Sequence, residues 1–443
     1  MRHVSRVTLL LLSASMLAGC GGLGLFKKSD KITVPGERTS VLVNEADIDI
    51  DTATATEPMT LPAAVTNESW AQSGGNANKS VGHLGLGQSL GVAWTVSIGR
   101  GSDKAGRLGG GPVVADGKVF TIDTTGTVRA FSVENGGQIW SARFGEVGDN
   151  AASIYGGGVA YDSGRVYATN GIGYVAALDA SNGGAVWTVK PAGPLRGEPS
   201  VDGGSVYVMS QDNQIYSLKT ADGSTNWSNA AALEIAGVFG SAAPSIGQGT
   251  VVAGFSSGEL NAYRYENGRQ VWQDALSRTT MSTSVASLSD IDADAVIDNG
   301  VVYAIGQGGR MVALDLFSGQ RIWELNFAGI ATPWVAGDWI FAVNDKAQLV
   351  AIARRTGKIR WINQLPRYRD QKDRKGPISY VGPVLAGERL IVAGSNGALI
   401  NVSPVDGAFQ NQVDLDDGVS FQPVVANNTL YLLTDAGRLI AYR

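Results

Sequence analysis

Residues 111–140 read GPVVADGKVFTIDTTGTVRAFSVENGGQIW. The stretch contains four short runs typical of β-strands, at 112–115, 118–123, 128–132 and 138–141, separated by Asp-Gly, Thr-Gly and Asn-Gly. Gly and Asn accept positive φ at low cost, so these dipeptides favour tight turns between antiparallel strands. Because no 3.6-residue period runs through the stretch, it predicts four meandering strands rather than a helical hairpin.

The end of this stretch recurs along the chain as a glycine followed four residues later by a tryptophan. Six copies are complete: Gly136/Trp140, Gly183/Trp187, Gly223/Trp227, Gly268/Trp272, Gly319/Trp323 and Gly357/Trp361. Two copies are partial, since Trp94 lacks the glycine, and Gly407 is followed by Asn411. Successive anchor positions are 38 to 51 residues apart. This period is typical of propeller blades or solenoid repeats, and four strands per repeat favour a blade.

The eight anchor positions predict an all-β fold, an eight-bladed β-propeller of four-stranded antiparallel blades. After the last anchor, residues 420–443 suffice for three strands only. The strand that contains Trp94 is therefore predicted to complete the final blade, so that the N- and C-terminal strands share one blade and close the ring. The tryptophans are predicted to fill the space that widens between blades away from the ring axis.

The N-terminus has the pattern of a signal peptide. Arg2 and Arg6 precede an apolar run too short to span a bilayer, and the run ends in Leu-Ala-Gly-Cys at 17–20. This tetrapeptide resembles the lipobox of bacterial lipoproteins, which implies cleavage after residue 19 and acylation of Cys20. Gly21, in place of an Asp, implies delivery to the outer membrane with the protein facing the periplasm. Several acyl chains would make such an anchor effectively permanent.

Composition divides the rest of the chain in two. Residues 20–65 include NEADIDIDTATATEP, which is acidic and free of aromatics, and they are predicted to form a flexible tether. Residues 66–443 are predicted to form the propeller. The net charge is −5, and it becomes −7 once Arg2 and Arg6 are removed with the signal peptide, so no basic excess suggests nucleic-acid binding. The one basic cluster, at 367–376, is interpreted as a solvated loop or a partner contact.

The sequence lacks the residues that a catalytic triad, a zinc site or a calcium loop requires. His83 is the only histidine after the signal peptide, and no G-x-S-x-G elbow accompanies it, so a packing or capping role is expected. Zinc needs several His or Cys ligands, and Cys20 is the only cysteine. Asp290, Asp292 and Asp294 alternate like the start of a calcium loop, but Ala295 and Val301 occupy its Gly and Glu positions. No metal is therefore expected, and the three carboxylates are expected at the lip of a blade, facing outward, either to contact a partner or as a solvated acidic turn.

The repeat at 298–323, DNGVVYAIGQGGRMVALDLFSGQRIW, resembles that of quinoprotein alcohol dehydrogenases. Together with the lipobox, the chain from Cys20 to Arg443 more closely resembles the BamB family, propeller lipoproteins of the outer-membrane β-barrel assembly machinery. The most specific stretch is LSDIDADAVIDNGVVYA at 288–304. The resemblance implies a non-catalytic scaffold that binds the POTRA domains of the barrel-inserting subunit, promotes insertion of barrel proteins and needs no cofactor. Unfolded outer-membrane proteins are a further expected partner.

The resemblance also implies a contact site built from two motifs. The first corresponds to Leu288, Asp290 and Asp292. The second family motif is Leu-Arg-Gly-Glu, where this chain has Val238 and Phe239 and therefore lacks the arginine. One blade earlier, PLRGEPS contains Leu195 and Arg196, which are either a chance echo or a replacement for Phe239 on the same rim.

Two alternative functions remain at this stage. One is a quinone-dependent dehydrogenase, against which the single cysteine argues, because those enzymes carry a vicinal disulfide. The other is a periplasmic ligand-binding propeller unrelated to barrel assembly.

Overall fold

Eight four-stranded antiparallel sheets make up most of the computed structural model, which describes residues 48–146, 157–233, 242–276 and 289–443. All of these residues belong to one compact unit, 46–443. The sheets are numbered here as blades in chain order. In blades 1 to 7 the four strands are consecutive along the chain, and each pairs with the next from the inner edge of the blade to the outer edge.

Each strand is short, and its burial follows its place in the blade: most residues of the three inner strands are buried, whereas most residues of the outer strands are exposed or half-buried. Blades 1 to 4 comprise Val113–Ala115, Lys118–Ile122, Thr127–Ser132 and Gln138–Arg143; Val159–Asp162, Arg165–Thr169, Val175–Asp179 and Ala185–Val189; Leu195–Asp202, Ser205–Ser210, Gln214–Lys219 and Thr225–Ala230; Ser245–Gly247, Thr250–Gly254, Glu259–Arg264 and Gln270–Ala275. Blades 5 to 7 comprise Val296–Asp298, Val301–Ile305, Arg310–Asp315 and Arg321–Asn326; Trp334–Ala336, Trp339–Val343, Gln348–Ala353 and Ile359–Gln364; Tyr380–Ala386, Arg389–Gly394, Ala398–Val402 and Phe409–Asp414.

Blade 8 closes the ring and confirms the predicted sharing of one sheet by both ends of the propeller. Its inner strands are Val424–Ala426, Thr429–Leu433 and Arg438–Tyr442, and its outer strand is Val92–Ser97. Trp94 pairs with Ala441 in an antiparallel register. The predicted all-β, eight-bladed propeller is therefore confirmed.

The tryptophan of one blade contacts the glycine turn of the next blade, not the glycine of its own blade. The Trp272 indole donates a hydrogen bond of 2.7 Å to the carbonyl of Leu316, in the turn between the third and fourth strands of the next blade. Gly319 in that turn has φ +71°, and a Cβ on it would lie 2.6 Å from the Trp272 ring. Glycine is thus needed both for its conformation and for the close approach of the indole. The same bond links seven pairs: Trp94–Val133, Trp140–Ala180, Trp187–Thr220, Trp227–Tyr265, Trp272–Leu316, Trp323–Arg354 and Trp361–Pro404.

This arrangement explains why the repeat degrades at Asn411. The turn that would receive a tryptophan from blade 7 would join the third and fourth strands of blade 8. Blade 8 has no such turn, because its third strand, Arg438–Tyr442, and its fourth strand, Val92–Ser97, come from opposite ends of the propeller. Gly91 and Arg443 instead exchange two backbone hydrogen bonds, of 2.8 and 3.0 Å. Asn411 therefore faces the one position in the ring without a glycine turn.

The ring has two distinct faces. We call the upper face the one that carries the joins between blades and the turns between second and third strands. The lower face carries the turns between first and second strands and between third and fourth strands. Inner strands run from the upper face to the lower face and line a central channel.

Residues 67–84 close the lower end of this channel, since they make hydrogen bonds to the inner strand of every blade in ring order. From blade 8 through blade 1 to blade 7 the linked residues are Asn67–Val425, Trp70–Val114, Ala71–Tyr161, Gln72–Val201, Ala77–Ile246, Asn78–Ile297, Gly82–Trp334 and Leu84–Leu385. His83 joins the end of this circuit to Pro62 and to the backbone of Glu388, which agrees with the packing role expected for it. We call residues 67–84 the plug.

The predicted boundary between tether and propeller at residue 65 is too late. Ile50 forms a bridge with Ile359 on the outer strand of blade 6, and the Asp51 backbone N–H donates to the Ile359 carbonyl at 2.9 Å. A short helix, Thr52–Thr56, follows, and Arg360 donates to the Thr54 carbonyl at 3.1 Å. Asp51 also pairs with Lys358 at 3.1 Å, but one acid within an acidic run gives no sign of such a partner in the sequence. The predicted signal peptide and Cys20 lie outside the described residues, among which no helix is long and apolar enough to cross a bilayer.

Gly319→Ala tests the role of the glycine turns. The new Cβ would collide with Trp272, so we expect the variant to be less stable than Gly117→Ala by about 1–3 kcal/mol. Gly117 is a matched control because it has φ +68° and nothing within 4 Å of its Cβ position. Denaturant unfolding of both variants measures the difference. Equal destabilisation would mean that positive φ alone, and not indole contact, requires the glycine.

Candidate partner-binding site

Asp290, Asp292 and Asp294 lie in the extended join that enters the inner strand of blade 5 from the upper face. Ile291 and Ala293 between them are fully buried in the apolar packing between blades. The alternation places Asp292 and Asp294 on the wall of the central channel. Asp292 thus lies at the upper mouth and Asp294 nearer the plug, where it accepts a hydrogen bond from Ser73.

Arg196 brings the second predicted motif to the first. It lies in the inner strand of blade 3, and its Nη1 and Nη2 lie 3.8 Å from Asp290 Oδ1 and 3.9 Å from Asp292 Oδ1. Nη1 also donates to the hydroxyl of Ser256, in the upper turn of blade 4. One buried guanidinium therefore connects the upper ends of blades 3, 4 and 5.

These ion pairs are wide. Arg196 Nε and Nη2 and Asp292 Oδ1 are buried and have no hydrogen-bond partner among the described residues. A buried polar atom without a partner costs roughly 1–3 kcal/mol, and separations near 3.9 Å leave a distance that a bridging water commonly spans. The cluster holds its charges at ion-pair distance without closing every hydrogen bond.

A second buried group lies deeper in the channel, where the plug enters. Lys79 of the plug donates to Ser200 Oγ at 3.0 Å, two residues from Glu198, whose carboxylate accepts the Gly111 N–H. Asp294 accepts hydrogen bonds from Ser73 of the plug at 2.6 Å and from the Ala243 N–H at 2.7 Å. Asp294 therefore joins the plug to the same join that presents Asp292.

Burial shifts the protonation of this channel strongly. Loss of water raises the pKa of Glu198 to about 8, with the Asp294 charge adding to the rise. Burial, with the neighbouring Asp290 second, raises the pKa of Asp292 to about 7. Burial also lowers the pKa of Lys79, so desolvation outweighs its attraction to Asp294 and Glu198. With every group ionised the four carboxylates outnumber the two cations, and protonation of Glu198 and Asp292 removes that excess.

Asp292 is the member of the cluster that the upper mouth can reach. The mouth has a volume of about 600 Å³, and its lining includes Asp292, Gln307, Arg107, Ile330 and Phe421. The Gln307 amide donates to Asp292 Oδ2 and holds the carboxylate against the wall. Ile330 is 43 % exposed and gives the rim an apolar surface beside the acid.

The structure corrects part of the sequence prediction. The expected outward exposure is wrong for Asp290 and Asp294, which are 1 % and 4 % exposed. Leu195 is fully buried in the packing between blades 2 and 3, which does not fit a direct contact with a partner. Leu288, Val238 and Phe239 lie outside the described residues. Glu198 and Lys79 were not predicted, although Glu198 stands within the quoted PLRGEPS stretch. In the part of the chain that the structure describes, no group of three or more His, Cys, Asp or Glu is arranged to hold a metal ion.

Comparison with known proteins gives consistent results. A family model described as outer membrane protein assembly factor BamB matches residues 124–363. The BamB of Salmonella typhimurium is 30% identical over 392 residues, which cover 79% of this chain and 88% of that protein. The crystal structure of BamB from Moraxella catarrhalis has a TM-score of 0.64 at 19% identity and covers 80% of this chain and 98% of its own. Quinohemoprotein alcohol dehydrogenase from Comamonas testosteroni has a TM-score of 0.66 at 14% identity, covering 86% and 81%, and shares the fold.

Glu198→Gln tests the buried charges in the channel. A carboxyl group whose pKa is raised on folding binds more protons in the folded state, so its contribution to stability falls as the pH rises from about 4.5 to about 8. The amide does not titrate and can still accept the Gly111 N–H. Relative to the unmodified protein, we expect the variant to gain stability with rising pH, by at most about 1.4 kcal/mol per pH unit.

Unfolding measured between about pH 5 and pH 8 would show this gain as a flatter curve. Some slope remains, because Asp292 is still present. Glu134→Gln, at an exposed turn, is the control and should leave the slope unchanged. Parallel curves for the Glu198→Gln variant and the unmodified protein would contradict a raised pKa of Glu198.

Proposed function

The chain belongs to the family of the outer membrane protein assembly factor BamB, and we propose that it is a non-catalytic scaffold lipoprotein of the β-barrel assembly complex. In this proposal the propeller binds the periplasmic POTRA domains of the barrel-inserting subunit and promotes folding and insertion of outer-membrane proteins. It is associated with the outer membrane through acyl chains on Cys20 and faces the periplasm.

The observation that supports this proposal best is the meeting of Arg196 with Asp290 and Asp292. The family resemblance assigns an arginine and this pair of carboxylates to the partner contact, and the chain lacks the arginine at Phe239. Arg196 supplies a guanidinium from one blade further away, at 3.8 Å from Asp290 and 3.9 Å from Asp292. In the proposal Arg196 replaces the family's rim arginine.

Within the contact, the residues have different roles. Arg196 and Asp290 are buried and act by holding the upper ends of blades 3, 4 and 5 at a fixed spacing. Asp292, at the mouth, offers a carboxylate to a cationic side chain of the partner, beside the apolar Ile330. A surface held rigid before binding loses less conformational entropy when the partner docks. The scaffold thus orients its partner and needs no movement of its own.

The cysteine content of the chain argues against a dehydrogenase. The vicinal disulfide that the resemblance associates with quinoprotein dehydrogenases needs two adjacent cysteines, and Cys20 is the only cysteine of the chain. The likeness to the dehydrogenase from Comamonas testosteroni, at 14% identity, extends to the fold alone.

Asp292→Asn tests the contact. The amide keeps the size of the side chain and its hydrogen bond to Gln307, but it cannot become the anion that a cationic partner group needs. We expect recovery of the barrel-inserting subunit with the tagged lipoprotein to fall at least about tenfold in detergent extracts, since losing one member of an interfacial charge pair costs roughly 2 kcal/mol or more. Replacing the acids by lysine would be a poorer test, because it would place new cations beside buried Arg196.

Asp416→Asn is the matched control, because Asp416 is an exposed acid on the upper face, in the join between blades 7 and 8. Its recovery of the subunit should equal that of the unmodified protein. Unchanged recovery with Asp292→Asn would remove Asp292 from the contact. Absence of the subunit even with the unmodified protein would contradict the scaffold function itself.

A spectroscopic measurement separates scaffold from dehydrogenase. The protein purified from the outer-membrane fraction should show no absorption band of a bound quinone. It should also show no quinone-dependent alcohol oxidation after addition of the cofactor and calcium. Stoichiometric quinone binding with turnover would favour the dehydrogenase instead.

A further inference from the structure

A hairpin on the upper face of blade 6 carries a charge opposite to that of the whole chain. Its strands, Tyr368–Asp370 and Lys375–Pro377, form the one two-stranded sheet among the described residues. Between positions 367 and 375 it has five basic and two acidic side chains, a net charge of +3 in a chain that is −7 without its signal peptide: Arg367, Arg369, Lys372, Arg374 and Lys375 against Asp370 and Asp373. We call residues 367–377 the basic hairpin.

The basic hairpin is anchored at its base. The Tyr380 hydroxyl donates to the Pro366 carbonyl at 2.8 Å, and the Ile378 N–H donates to the Arg367 carbonyl at 2.9 Å. Arg369 donates to the Ser395 carbonyl, in the upper turn of blade 7, at 2.6 Å. These bonds fix the direction in which the hairpin projects, so its charges form a defined surface.

The acids of the hairpin serve the hairpin itself. Asp370 accepts the Asp373 N–H at 3.0 Å and stabilises the turn. Asp373 pairs with Lys375 at 3.2 Å, but both side chains are at least half exposed, and such pairs contribute little. Lys372 and Arg374 are exposed at the tip, and within the described ranges neither has an ion-pair partner. The tip therefore presents cations that the fold itself does not use.

The position of the basic hairpin relates it to the N-terminal part of the chain. Ile50 and Asp51 lie along the lower end of the outer strand of blade 6, and that strand leads directly into the hairpin at its upper end. Six strand residues, about 20 Å, separate the two points. The described part of the chain therefore begins along the same outer strand that leads into the hairpin, at the opposite end of that strand.

We propose that the basic hairpin binds the phosphate groups of anionic phospholipids in the bilayer that holds the lipid anchor, and so turns the outer edge of blade 6 toward the membrane. This inference rests on the lipid anchoring in the proposed function. The 28 residues from Cys20 to Ile48 could span up to about 95 Å, so an anchor alone fixes no orientation. A second contact is needed for that, and a cluster of basic side chains close to an anionic bilayer surface can supply it.

The side chains suit a lipid surface. Arginine and lysine bind phosphate oxygens, and the partly exposed Tyr368 ring is of the kind that lies at membrane interfaces. The attraction acts within about 10 Å at 0.1 M salt, and the anchor holds the hairpin near the bilayer. An acidic protein surface is the other anion of suitable size, but the hairpin lies two blades further round the ring than the join that presents Asp292. The start of the described chain beside the outer strand of blade 6 favours the membrane.

The test uses the mature chain with Cys20→Ser, which cannot be acylated, and vesicles of phosphatidylethanolamine with about one third phosphatidylglycerol. We expect the protein to sediment with these vesicles at about 50 mM salt and to remain in solution with phosphatidylcholine vesicles or at about 500 mM salt. Lys372→Glu/Arg374→Glu should weaken vesicle binding at least about tenfold, since each basic residue near an anionic surface contributes roughly fivefold.

The matched control is Lys219→Glu/Arg269→Glu, which makes the same change in net charge at exposed positions of blades 3 and 4 on the lower face. It should retain vesicle binding. Equal binding by the two double variants, or no binding of the unmodified chain to anionic vesicles, would overturn the proposal. Both double variants should melt within a few degrees of the unmodified chain, because all four residues are exposed.

Co-purification of the barrel-inserting subunit, measured separately with the acylated protein, keeps the two proposals apart. The Lys372→Glu/Arg374→Glu variant should recover the subunit as well as the unmodified protein does. If it loses the subunit while vesicle binding is unchanged, the hairpin binds an acidic protein and the lipid proposal is wrong. If even the unmodified protein fails to recover the subunit, the scaffold function fails, and the vesicle result still decides the role of the hairpin.

Discussion

The contact between the indole of one blade and the glycine turn of the next determines how this ring is assembled. In each of the seven copies the tryptophan donates a hydrogen bond to a turn carbonyl, and the glycine leaves room for the ring at 2.6 to 2.8 Å from its virtual Cβ. A flat aromatic side chain gives a large contact area at low entropic cost, and its N–H needs a partner when buried. The glycine turn supplies the surface that the ring contacts and the carbonyl that accepts its N–H, so each blade sets the angle of its neighbour.

An eighth copy of the contact is absent where the ring closes, and other interactions replace it. Blade 8 is held by the pairing of the Val92 strand with the C-terminal strand and by the mutual bonds of Gly91 and Arg443. The plug then bonds to all eight inner strands from below. Because the plug follows the ring in order, the segment just before the closing strand helps to hold together the blades that the strand completes. Closure is thus a property of residues 67–97 as a whole and not of one strand.

Local sequence was enough to predict the blades, their number and the shared blade, because turn dipeptides and a spaced aromatic are local signals repeated many times. It was also enough to draw attention to Asp290, Asp292 and Arg196. It could not predict that Asp290 is buried, because an alternation of acids with Ile291 and Ala293 has the same appearance on an exposed edge as on a channel wall. Asp51 docks through its backbone and through an ion pair with Lys358, and one acid in an acidic run does not reveal either contact, so residue 65 is too late a boundary for the tether. Lys79 gave no signal either, since a single lysine in a polar stretch is ordinarily solvated.

The buried residues that the sequence did not reveal lie close together around the central channel. Ser73 enters the channel from the plug and bonds to Asp294, whereas Arg196 enters from blade 3 and faces Asp290 and Asp292, so both meet one acidic join. Desolvation raises the pKa of Glu198 and Asp292, so the channel can lower its own excess negative charge by holding protons. A cation arriving at the mouth would favour the charged form of Asp292, as its ion-pair partner Arg196 does at 3.9 Å. The residues that bind the N-terminal segment and those proposed to bind the partner therefore share one electrostatic environment, which explains why so costly a set of buried charges lies at the centre of an otherwise apolar ring.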